Sequence, residues 1–292
     1  MSSVPAPAPP PSLHEAPELP EGIERPPHPD RPGWRPWTAW VGLVAGFGAA
    51  LVGAAVVGIV GAAAGASFDD PTPAVNIGAT MVQDLCLVGA AILFAGMAGR
   101  PLPAQFGLRP TPPLKALGWM VAAFLTFYVV TLVWVAIVGG SPDDEKLPEE
   151  LGADRSTIAL LAVAFLVSVV APIAEEFFFR GFFYGALRNW RGVLPAAIIT
   201  GLVFGAIHAG SADWEFLLSL AVFGFLLCLL RERTGSLYPC IVLHCANNSL
   251  AFGVSQDWGW EIPVLFVAAM SLIGLAALAV RARWAPAPAP GT

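Results

Sequence analysis

The chain has 292 residues, of which 56% are hydrophobic and only 12% charged, and its mean hydropathy is +0.69. That composition excludes an ordinary water-soluble domain, since too few polar side chains are present to cover one. The formal charge of -6 comes largely from one acidic stretch, so no nucleic-acid partner is expected.

Residues 1–36 are rich in Pro, Glu and Arg and poor in core-forming side chains, so a disordered tail is expected there. The pattern of a cleaved signal peptide is missing, and the first apolar block is expected to stay in the membrane. Eight apolar blocks follow, near 37–66, 75–98, 115–139, 157–188, 193–209, 213–230, 236–254 and 261–280. Each approaches the roughly 20 residues that cross a hydrocarbon core. Continuous apolar runs select helices over a barrel, because backbone groups in lipid must bond within the segment. The expected fold class is all-α, a polytopic transmembrane bundle of about eight spans.

Smaller signals fall in the same order. Trp34, Trp37 and Trp40, with Trp258 and Trp260, stand at block ends and read as interfacial anchors. In the second block Asp84, beside Gln83, is expected near an outer interface or clamping a neighbouring helix. The acidic stretch Asp143 to Asp154 reads as a solvated connection, and a second flexible tail begins at about 284. Cys86, Cys228, Cys240 and Cys245 lie in apolar blocks at irregular spacings, without a CxxC pair, and read as buried apolar residues.

Basic residues set the orientation. Arg25, Arg31, Arg35, Arg100, Arg109, Lys115, Arg188, Arg191, Arg231, Arg233, Arg281 and Arg283 fall on one side of an eight-span chain, and only Lys146 and Arg155 on the other. The positive-inside rule then puts both termini in the cytoplasm, in a multi-pass protein expected in the plasma membrane. No internal repeat stands out, which weighs against an inverted-repeat transporter.

Ionisable groups inside spans cost several kcal/mol and point to function. The fourth block contains APIAEEFFFRG (171–181), with Glu175, Glu176 and Arg180. Glu176 and Arg180 share a helical face and can pair, while Glu175 is turned by about 100° and stays free. Pro172 removes a backbone donor one turn earlier and is expected to kink the helix. The fifth block holds FGAIH, Phe204 to His208, and the seventh HCANN, His244 to Asn248. In an antiparallel hairpin turning near Trp190, Glu175 and His208 both lie roughly 23 to 27 Å from the turn, level with one another. His244 and Asn248 share a face and offer two donors for a developing oxyanion; Asn247 reads as an interhelical clamp.

EEFFFR, FGAIH and HCANN together resemble the EExxxR, FxxxH and HxxxN motifs of the CAAX-processing (CPBP) glutamic peptidases, in the family's order, across about 155 to 255. The resemblance implies an intramembrane endopeptidase whose core occupies 151–256, with 37–150 holding the first three helices and the acidic loop, and 257–283 the last helix. It further implies that Glu175 activates water, His208 is its partner, His244 and Asn248 form the oxyanion site, and Glu176, Arg180 and Phe204 support them. No cofactor is implied; the partners are membrane lipid and a peptide or protein substrate at the membrane, with CAAX ends one candidate.

Three rivals remain at this point. A zinc peptidase would use the two imidazoles and a glutamate, although the chain has no HExxH and its other histidines, His14 and His28, lie in the tail. A non-catalytic scaffold or immunity-type protein would use the same fold, and a proton-coupled transporter would use the same buried groups.

Overall fold

A computed structural model describes residues 32–139 and 147–284, with the side chains of 276, 277 and 279–284 excepted. The expected tails at 1–31 and 285–292, the loop residues 140–146 and the side chains of Arg281 and Arg283 lie outside the described residues.

All eight apolar blocks fold as helices: α1 (Pro36–Ala63), α2 (Pro73–Gly96), α3 (Pro113–Val138), α4 (Thr157–Arg191), α5 (Val193–Ile207), α6 (Trp214–Thr234), α7 (Tyr238–Ser255) and α8 (Glu261–Trp284). Among the described residues there is no strand. Proline sits in the first turn of α1, α2, α3 and α7, where its missing N–H has no intrahelical partner to lose. Ser156 caps α4 by accepting from the Ala159 N–H at 3.1 Å.

Five helices, α1, α2, α3, α4 and α6, are long and apolar enough to cross a membrane. On the described residues, α5, α7 and α8 are not among the five, so the expected count of eight spans is not borne out; the 15 residues of α5 cover about 22 Å, short of the roughly 30 Å hydrocarbon core. Leu51, Val44, Leu132 and Ile137 on α1 and α3 are exposed, a surface that water would not tolerate and acyl chains would.

α4 is the central element, packed on α1, α2, α5, α6 and α7. Its aromatic run Phe178, Phe179, Phe182, Phe183 and Tyr184 is buried, and Phe179 meets Phe204 of α5 edge-on at 5.4 Å. Lipid gives helices no hydrophobic reason to associate, so close approach through small residues takes over. At the α5–α6 crossing a Cβ on Gly205 would lie 2.5 Å from the Leu217 carbonyl, and one on Gly201 2.5 Å from that of Ala221. Backbones touch there, and only glycine fits.

Loops gather at two opposite ends. At one, Arg109 donates to the Gly235 carbonyl, Ser236 to the Arg109 carbonyl, and Arg188 pairs with Glu232 at 2.8 Å. At the other, Arg155 bonds Asp70, Asn76 donates to the Glu150 carbonyl, and Trp134 to that of Glu215. Arg155 holds the Asp70 carboxyl below its ordinary range, through a hydrogen bond first and charge second.

Three local expectations are corrected. Trp34 is 3% exposed and packed on Phe106 and Phe182, so it fastens the chain entering α1 to α4 instead of anchoring at an interface; Trp37, Trp40 and Trp260 are exposed. The described part of the acidic connection is not simply solvated, since Leu151 and Ala153 are buried against α4 residues. Asp84 stands halfway along α2 and is buried, far from either end, which sets aside the interface alternative of its two expected roles. Cys228, Cys240 and Cys245 are buried as expected, and Cys86 is half-buried.

Candidate active site

The site begins with a backbone irregularity in α4. Leu166–Val170 and Phe177–Phe183 are π-helical, a form concentrated at functional sites. In the first, the Ala171 N–H bonds the Leu166 carbonyl, five residues back. The same register would bring the Val167 carbonyl to residue 172, which is proline and has no N–H. Asn248 supplies the missing donor, its Nδ2 lying 2.9 Å from the Val167 carbonyl. Pro172 therefore re-registers the helix just before the glutamates and ties α4 to α7.

Glu176 and Arg180 follow the i,i+4 reading. Arg180 Nη1 donates to Glu176 Oε1 at 2.7 Å with both side chains fully buried. The guanidinium also lies over the Phe204 ring, 4.3 Å from its centroid, a cation–π contact at its strongest where water is excluded. Phe204 also acts through its backbone, since its carbonyl lies 2.7 Å from His208 Nδ1. A carbonyl only accepts, so Nδ1 carries the proton and Nε2 is the nitrogen left for chemistry.

His244 is held between the two glutamates. Its Nδ1 is 2.8 Å from Glu176 Oε1 and its Nε2 is 3.9 Å from Glu175 Oε2. Glu176 Oε1 already accepts from Arg180, so Nδ1 donates to it and Nε2 is aimed at Glu175. The longer distance exceeds a hydrogen bond, yet one water oxygen can stand within about 2.8 Å of both groups. Phe204 and Phe223 wall the imidazole edge-on at 5.8 and 5.4 Å. Glu175 is 15% exposed, and its Oε2 is buried without a hydrogen-bond partner.

Thus Glu175, Glu176, Arg180, Phe204, His244 and Asn248 are brought together on α4, α5 and α7. His208 joins through Phe204, whose ring it approaches to 4.8 Å. Glu175 and His208 stand about equally far along the chain from the α4–α5 turn at Gly192, where φ of 81° requires glycine. Among the described residues no hydrogen bond joins them; the imidazole beside Glu175 is that of His244. Sequence reasoning also missed Tyr128, whose hydroxyl bonds Asn247 Oδ1 at 3.1 Å while Asn247 Nδ2 donates to Asn248 Oδ1 at 3.3 Å. Asn247 is thus the expected clamp, to α3, and the chain of amides fixes which way Asn248 points. A tyrosine in an apolar span was the available signal. Among the described residues no group of three or more His, Cys, Asp or Glu side chains is placed to hold a metal ion.

Residues 157–250 match the family described as "Type II CAAX prenyl endopeptidase Rce1-like". Similar proteins include an "Uncharacterized 24.3 kDa protein" of Escherichia coli, 29% identical over 51% of this chain and 67% of its own length. The "Putative membrane peptidase YdiL" of Bacillus subtilis is 34% identical over 28% of this chain and 32% of its own. "Uncharacterized protein YyaK" of the same species is 33% identical over 44% of this chain and 43% of its own. The chain thus spans from about a third to two thirds of the lengths of these relatives. No solved structure matches it.

Proposed function

We propose that this chain, whose residues 157–250 carry an Rce1-like type II CAAX prenyl endopeptidase region, is a membrane endopeptidase of the glutamic type. The observation that carries the reading is the His244 imidazole held between Glu176 at 2.8 Å and Glu175 at 3.9 Å.

A water between Glu175 and the imidazoles gives a proton to Glu175 as its oxygen adds to a peptide carbonyl carbon. Negative charge gathers on the carbonyl oxygen. The donors for it are His244 Nε2, protonated with support from the Glu176 carboxylate, and the second N–H of Asn248, the first being held by Val167. The C–N bond then breaks, and the amine leaves with the proton Glu175 received. His208 keeps Nε2 for the water, and Arg180 on Phe204 balances the charge of Glu176. The substrate is a peptide or protein in or at the membrane, with CAAX-type ends the first class to try, and both termini face the cytoplasm.

Glu175→Gln tests this in purified full-length protein in lipid nanodiscs, with a prenylated CAAX peptide as one probe and comparative mapping of membrane-protein termini in cells as the other. Folding and insertion are retained, while kcat falls about 1,000-fold or more, as loss of a general base requires. An active Glu175→Gln protein would sink the reading. Activity that survives chelators, with no zinc in the purified protein, separates it from a zinc peptidase.

A further inference from the structure

Asp84 is a buried carboxyl that the reaction above does not use. It stands at the middle of α2, 2% exposed, with Oδ2 buried and without a hydrogen-bond partner. α2 packs on the Ala171–Glu176 stretch of α4, and the Asp84 carboxyl lies within electrostatic range of that of Glu175. Glu175 Oε2 is itself buried and without a hydrogen-bond partner, His244 Nε2 lying 3.9 Å away. Two unsatisfied carboxyl oxygens thus come from two neighbouring helices into one water-poor place.

The charges around Asp84 offer it no cation. α1 has no ionisable residue, and α2 has only Cys86 besides Asp84. On α4, Arg180 is held by Glu176 and Phe204, while Tyr184 and Arg188 bond Glu232 towards the basic end. His244 on α7 lies between Glu176 and Glu175, and His208 on α5 is engaged by the Phe204 carbonyl. Arg180 and His244 face Glu176 and Glu175, which leaves Asp84 as a third carboxyl with no cation; at low dielectric it cannot ionise beside Glu175, and the two settle with one proton between them.

We infer that Asp84 is a positioning residue of the hydrolytic site, forming with Glu175 a carboxyl pair that holds a single proton. The inference rests on the endopeptidase reading above. Asp84 carries the proton and donates it through a bridging water towards Glu175, which is thereby kept as the acceptor for the proton of the attacking water. Glu175 takes that proton as the C–O bond forms and returns it to the amine as the C–N bond breaks, and Asp84 ends the turnover with the proton it began with. Only the singly protonated pair is competent, so activity falls when the pair gains a second proton and when it loses the first.

Wild type, Asp84→Asn and Glu175→Gln, each full-length in lipid nanodiscs, decide it. The wild-type infrared spectrum at neutral pH contains a protonated-carboxyl band that moves on carbon-13 labelling of aspartate side chains and is lost in Asp84→Asn. With a peptide that the wild type cleaves, Asp84→Asn lowers kcat about 10- to 100-fold with KM little changed, and the alkaline fall of its kcat–pH profile disappears while the acid-side fall stays. A profile superimposable on the wild type, or a wild-type spectrum without the aspartic acid band, overturns the inference. The labelled wild-type spectrum answers even if Asp84→Asn does not fold. An active wild type with inactive Glu175→Gln and unaltered Asp84→Asn removes this inference alone, whereas an active Glu175→Gln removes the reading beneath it.

Discussion

Glu176 illustrates how much one buried carboxylate organises. Its Oε1 accepts from Arg180 and from His244 at 2.7 and 2.8 Å, so Glu176→Ala leaves a buried guanidinium uncompensated and an imidazole unheld. A loss of about 3 to 5 kcal/mol is expected, read as a lower unfolding temperature in nanodiscs together with lost cleavage. Phe204→Leu keeps the carbonyl that binds His208 and removes the ring beneath Arg180, at a cost of about 1 to 2 kcal/mol; an unaltered unfolding temperature would show that the cation–π contact contributes nothing. The i,i+4 spacing makes the Glu176–Arg180 pair legible without coordinates. Which histidine stands beside Glu175 is not legible, because His208 and His244 reach the site on different helices and nothing local ranks them.

α4 is legible as a long apolar helix, and Pro172 as a disturbance in it, but not as the π segment the proline produces. The register depends on what captures the Val167 carbonyl, and that partner, Asn248, is 81 residues away. Pro172→Ala restores a backbone N–H that competes for this carbonyl and releases Asn248. The expected result is unchanged or higher thermal stability with kcat reduced about 10-fold or more, on the scale of a lost oxyanion donor; full activity would separate the π segment from catalysis. α5 and α6 meet backbone to backbone at Gly201 and Gly205, so Gly205→Leu is expected to unfold the pair, seen as loss of the monodisperse species on size exclusion. α5 itself reads as a span from its apolar run, yet its 15 residues stop short.

At the scale of the whole molecule the charges sort the ends. Arg109, Arg188, Arg231 and Arg233 gather where the α2–α3, α4–α5 and α6–α7 connections meet, so reporters fused to either terminus are expected to report the cytoplasm; opposite locations for the two would break the alternation. At the other end, Asp70 and Arg155 are exposed to solvent. The Asp70 carboxyl is held low, so whatever the pair contributes is present at neutral pH and lost only as pH falls below the ordinary Asp value of about 4. The shape of the rate–pH profile between about pH 6 and 8 is therefore expected to be the same in Asp70→Asn as in the wild type.

Composition and block lengths by themselves determined that the chain is an all-helical membrane protein, and the three ordered motifs determined which side chains to watch, because helical periodicity and the cost of charge in lipid act within one segment. Tertiary structure alone decided that His244 lies between the glutamates, that Trp34 is packed inside, that Asn248 completes the backbone of α4, and that Asp84 is buried on a helix packed against the glutamate stretch of α4. Each of these depends on the angle and depth at which separate helices pack, and that is fixed by glycine contacts and aromatic interdigitation between residues far apart in the chain.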